Sequence, residues 1–112
     1  MDVSAERQDG VLSVRVQGRI DGTNIWQIME TVRCATQDGD RAVILGFEQL
    51  VYLSSAGLRA MLITAKRMHN RDIGFAICCL TDVVRAAFGT SGFDKIITIH
   101  STRADAFAAS GG

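Results

Sequence analysis

Two serines stand side by side at Ser54-Ser55, followed by Ala56 and Gly57, between an apolar run and a helical one. A serine there can cap the helix by accepting a hydrogen bond from an orphan backbone N–H. It can also be presented for chemistry. Hydrolysis would need a GxSxG elbow, and neither serine has both glycines. It would also need a base. His69 and His100 close a helical run and an apolar run, so spacing puts neither beside the serines. No lysine-containing phosphate loop is present. No catalytic residue is assigned, and the chain reads as a non-enzyme.

What remains at this motif is an open helix end. Glycine in a first helical turn costs about 1 kcal/mol relative to alanine, so Gly57 needs a reason. Lacking a side chain, it lets another backbone or a ligand come close. Ser, Ala and Gly leave the helix N-terminus bare, with free N–H groups and the positive end of the dipole, which favour a phosphate. Asp21, Thr23 and Asn24 form a second polar group after a strand ending at Gly18. Turn and cap chemistry accounts for Asn24. Asp21 would face Ser55 if both lie at the same end of a sheet, where α/β domains place their sites. Trp26, the only tryptophan, falls beside an apolar helix face; partly exposed it could anchor a partner, but partial core packing is the expectation. Arg59, Lys66, Arg67 and Arg71 read as a solvated face.

The three cysteines are Cys34, Cys78 and Cys79. Neighbours in a strand point to opposite faces, so Cys78 and Cys79 are not expected to pair. Neither CxxC nor a Cys/His metal spacing occurs, so no metal and no cofactor is expected. The reading is three reduced thiols in a cytoplasmic protein.

Positioning these groups takes five strands and four helices. A strand at Val3–Arg7 and an alternating one from Leu12 to Gln17 are joined by Asp9-Gly10 as a hairpin turn. Ile25, Ile28, Met29 and Val32 share one helical face, with Asn24 and Gln27 as a capping box and an end near Gln37. Ala42–Leu45 reads as a strand buried on both faces, with Phe47–Leu53 as a loop or short extension. Leu58, Met61, Leu62, Ala65 and Met68 mark the next helix. Ile73–Leu80 is a second buried strand, and a short helix spans Val83–Phe88, with Gly89 or Gly92 past its end. A strand at Lys95–His100 and a helix through Phe107 complete the order. Gly111-Gly112 is expected to be a loose end. Strands alternating with helices require parallel crossovers, and the opening hairpin makes the sheet mixed. The fold class is α/β, with a mixed, mostly parallel sheet.

At 112 residues and 47% hydrophobic, the chain supports one domain with its own core, spanning 1–112. Basic and acidic residues number 12 each, which disfavours nucleic acid and anionic membrane surfaces as partners. The start MDVSAERQDG has no apolar signal core, and no apolar stretch approaches ~18 residues, so no membrane insertion is expected.

These residues resemble a STAS domain, the fold of bacterial anti-sigma factor antagonists, over roughly Val3 to Ala109. The resemblance is carried by Gly18-Arg19-Ile20-Asp21, Val43-Ile44-Leu45, Tyr52-Leu53-Ser54-Ser55-Ala56-Gly57-Leu58-Arg59 and Ser91-Gly92-Phe93. It implies that Ser55 is phosphorylated by an anti-sigma factor serine kinase. The unphosphorylated form would bind that anti-sigma factor and so regulate transcription, and a phosphatase would reset the switch. Asp21, Thr23, Asn24, Ser54, Ala56, Gly57, Leu58 and Arg59 are the implied partner contacts. Many members have Asp where this chain has Ser54, and Asp where it has Gly46. Both changes remove a carboxylate near the implied site, and Ser54 becomes a second candidate acceptor. STAS domains also serve as scaffolds in stress-signalling complexes and as accessory subunits of lipid transporters, which is the alternative role.

Overall fold

The computed structural model describes residues 2–110, so the expected loose end at Gly111-Gly112 lies outside the described residues. The chain opens with β1 (Asp2–Gln8) and β2 (Val11–Ile20), paired antiparallel from Asp2↔Gln17 to Gln8↔Val11. Asp9 and Gly10, both at positive φ (53° and 79°), make the two-residue turn between them. Then come α1 (Ile25–Ala35), β3 (Ala42–Leu53), α2 (Ser55–Asn70), β4 (Gly74–Cys78), α3 (Asp82–Ser91), β5 (Thr98–His100) and α4 (Arg103–Ala109). The sheet order is β1-β2-β3-β4-β5, with every pair after the first parallel. The carboxyl ends of β2 to β5 therefore share one end of the sheet.

The strands alternate between two interiors. Leu12, Val14, Val16, Val43, Leu45, Phe47 and Ile77 face α1, α2 and α3 in one large apolar core. Val11, Ala42, Ile44 and Cys78 face the other way, where α4 brings Ala106. Helices thus lie on both faces, and β3 is buried on both over Ala42–Phe47.

Four expectations are corrected and one alternative is decided. Gly18 does not end β2; at φ 102° it lies at a register shift, and pairing resumes to Ile20↔Leu53. Of the loop or short extension expected at Phe47–Leu53, the extension forms, as the second half of β3. Beyond Gly46↔Cys78 this half pairs only with β2, so Glu48, Gln49, Val51 and Tyr52 are exposed and the continuous apolar signal stops. Asn24 forms no capping box, and α1 ends at Ala35, before the expected Gln37. The last strand starts only at Thr98, because Phe93–Lys95 forms a 3₁₀ turn after Gly92, the left-handed cap of α3.

Candidate functional site

The two serines are placed differently at the start of α2. Ser54 has extended backbone, and its Oγ accepts a hydrogen bond from Gly57 N at 3.2 Å. Its carbonyl accepts from Leu58 N, and its own N–H donates to Ile20 O at 2.9 Å, tying the helix start to the end of β2. Ser54 is therefore the cap. Ser55 is the first residue of the helix and is exposed, with no acidic residue in that first turn. The first N–H groups of a helix have no intrahelical partner, so the end keeps its positive character at Ser55 and Ala56.

The β2–α1 loop lies against this start: a Cβ built on Gly22 would touch Ala56 Cβ at 3.8 Å. Asp21 organises the loop. Its Oδ1 accepts from Thr23 N at 2.9 Å and from Thr23 Oγ1 at 2.5 Å. The Thr23 hydroxyl, then the Thr23 N–H, hold the Asp21 carboxyl below its usual range, with a smaller push from Arg19. Asn24 is used inside the loop: its Oδ1 accepts from Asp21 N and its Nδ2 donates to Arg19 O. That is why it forms no side-chain cap on α1.

The structure brings Asp21, Thr23, Asn24, Ser54, Ser55 and Ala56 to one end of the sheet, with Arg59 exposed one turn along α2. It turns two expected contacts inward. Gly57 is buried, and a Cβ there would lie 2.7 Å from Leu53 Cδ1 and 2.9 Å from Ile20 Cγ2. The glycine lets α2 close onto the sheet. Leu58 is 5% exposed and belongs to the core.

Gly46 is also corrected. It lies seven residues before Leu53, about 20 Å of strand from the helix start. A Cβ at Gly46 would run into Arg103 Nη2, which lies 2.9 Å from Glu48 Oε1. The Arg103 guanidinium fills the space beside Gly46, on the α4 side of the sheet and away from the helix start. His69 is fourteen residues along α2 from Ser55, about 20 Å away, so it is no base for that serine.

Sequence reasoning missed most of the apolar surface around this end, having offered only Trp26 as a possible exposed anchor. Trp26 is exposed, not packed, because the α1 core face is filled by Ile25, Ile28, Met29 and Val32. Val51, Tyr52 and Val83 are exposed as well, and the Arg19 guanidinium lies 4.3 Å over the Tyr52 ring. The useful signal was an apolar pair beyond the doubly buried part of β3. Among the described residues, no group of three His, Cys, Asp or Glu side chains could hold a metal ion. None of their helices is long and apolar enough to cross a membrane.

The chain is 33% identical over 109 residues to BtrV of Bordetella bronchiseptica, provisionally named an anti-sigma factor antagonist, covering 97% of this chain and 94% of that one. Its fold matches the crystal structure of an anti-sigma factor antagonist from Mycobacterium paratuberculosis with a TM-score of 0.88, at 23% identity over 99% of this chain and 94% of that one. It also matches the Bacillus cell fate determinant SpoIIAA in its phosphorylated form, with a TM-score of 0.70, 19% identity and coverage of 96% and 98%. The family match spans residues 2–106, and with it the chain belongs to the STAS domain family.

Proposed function

We propose that this protein is an anti-sigma factor antagonist, a binding switch controlled by phosphorylation of Ser55. One observation carries the choice of residue: Ser54 is committed to capping α2, while Ser55 is exposed on the helix's open, positive end. The relatives supply the class, since BtrV carries that name and SpoIIAA has a phosphorylated form. The partner is an anti-sigma factor serine kinase, reset by a phosphatase. It meets Ser55, Ala56, Arg59 and the Asp21–Asn24 loop, with Trp26 and Tyr52 as aromatic anchors.

Phosphorylation adds about −1.5 to −2 charges at neutral pH. On Ser55 that charge suits its own helix dipole, so the fold stays intact. Inside an interface, an unmatched phosphate is costly to desolvate. The switch therefore acts on binding and not on folding. In a titration against the anti-sigma factor recovered by affinity capture, Ser55→Asp is expected to bind at least about tenfold more weakly, a difference of about 1.4 kcal/mol. Ser55→Ala should bind like the parent and take no phosphate from ATP and the partner. Equal binding by Ser55→Asp would overturn the switch. Phosphate found only on Ser54 would overturn the assignment of Ser55. A complete absence of phosphopeptides spanning Ser54–Arg59 from cells would favour a scaffold or accessory subunit.

A further inference from the structure

Cys78 and Cys79 are neighbours in sequence, yet their sulfurs lie 2.9 Å apart. In an extended strand they would point to opposite faces. The strand ends at Cys78, and Cys79 turns back at φ +68°, in the left-handed region that a side chain seldom adopts. Cys79 N donates to His100 O, which holds this turn against β5. Both thiols consequently reach the α4 side of the sheet, Cys78 fully buried and Cys79 half-buried against the small core there. The two are free thiols, as expected, but the expected reason, side chains on opposite faces, does not hold. We propose that Cys78 and Cys79 form an oxidisable vicinal dithiol, a modification site whose co-reactant is hydrogen peroxide and whose product is the Cys78–Cys79 disulfide.

The chemistry balances. The partly accessible Cys79 Sγ attacks one peroxide oxygen; an S–O bond forms, the O–O bond breaks, and the thiol proton leaves with the other oxygen as water. Cys78 Sγ then attacks the sulfenic sulfur; the S–S bond forms, the S–O bond breaks, and the departing hydroxide takes the Cys78 proton as a second water. Two thiols are oxidised and one peroxide is reduced.

The surroundings set the response. Burial first, then Cys78 and the Glu48 carboxylate, push the Cys79 thiol up to about 12. Thiolate is scarce at neutral pH, so Cys79 is a slow nucleophile. Glu48 also holds Arg15 of β2 and Arg103 at the start of α4, so the dithiol adjoins the polar contacts of that face.

The test uses the whole chain with the exposed Cys34 replaced, Cys34→Ser. It is treated with hydrogen peroxide, then denatured in N-ethylmaleimide and cut with trypsin. The fragment Asp72–Arg85 holds both cysteines. It is expected to lose the mass of two hydrogens, take up no maleimide, and recover two maleimide-reactive thiols after dithiothreitol. Cys79→Gly, which suits the positive φ, should give no such product. Cys79 carried to sulfinic acid while Cys78 still accepts maleimide would overturn the proposal. So would disulfide-linked dimers in place of the internal bond.

Discussion

The two faces of the sheet hold their helices by different means. On the face of α1, α2 and α3, cohesion is apolar and continuous, from Leu12 through Phe47 to Phe88. On the α4 face, five buried residues are supplemented by a polar cluster: Glu48 binds Arg15 and Arg103, and Arg103 donates to Ser13. Each face has one glycine at its closest approach. Gly57 admits core side chains on the first, and Gly46 admits a guanidinium on the second. A missing side chain reads the same in sequence in both places. Its cost of replacement differs, because packed Leu53 and Ile20 cannot yield as the end of an arginine can.

Substituting the two glycines tests this contrast most strongly. Gly57→Val should destabilise by about 3 kcal/mol, the upper end for overpacking a core. Gly46→Ala should cost no more than about 1 kcal/mol, the worth of a partly exposed ion pair. Urea unfolding monitored by circular dichroism gives both. Equal losses would mean that Arg103 is as fixed as the core.

The same contrast explains what was legible in the sequence. Element order was readable because Ile25/Ile28/Met29/Val32 and Leu58/Met61/Met68 carry the helical period, and Ala42–Leu45 carries the signature of a doubly buried strand. The second half of β3 was not, since a two-stranded ribbon exposes Val51 and Tyr52 and leaves no clean alternation. The placement of the candidate residues at the strand ends was readable, and so was the choice between a capping and an exposed serine as two options. Which serine caps depends on backbone angles at Ser54, which composition does not fix. Gly57 signalled a close approach without its direction. Cys79 was misread because strand alternation fails where one residue turns to positive φ.

Polar links sharpen the comparison further. Asp40 has a side chain only 3% exposed and accepts two bonds from Arg7, at 2.9 and 2.8 Å, and one from Gln37 N. Glu48 is 34% exposed. Asp40→Ala should therefore cost about 2 kcal/mol, as for a lost buried polar contact, and Glu48→Ala within about 1 kcal/mol. The Arg7 hydrogen bond, ahead of the Gln37 N–H and the Arg7 charge, holds the Asp40 carboxyl below its ordinary value. Its folded pKa is thus below the unfolded value of about 3.9. The stabilisation is complete above that value and is lost as pH falls through the folded one. Asp40→Asn should flatten the acid limb of a stability–pH curve. An unchanged limb would place the acid sensitivity elsewhere.

The smallest effects separate the two serines. Ser54→Ala removes the bond to Gly57 N and should cost about 1 kcal/mol. Ser55→Ala removes no hydrogen bond recorded for that side chain and should stay within about 0.5 kcal/mol, as at an exposed position. Thermal unfolding of both variants beside the parent measures the difference. If phosphorylation by the captured partner is followed on the same samples, the two readouts should cross. Ser54→Ala loses stability and keeps the acceptor, whereas Ser55→Ala keeps stability and loses the acceptor. Parallel losses would mean that capping and presentation reside in one residue, and the division of labour at this helix start would be wrong.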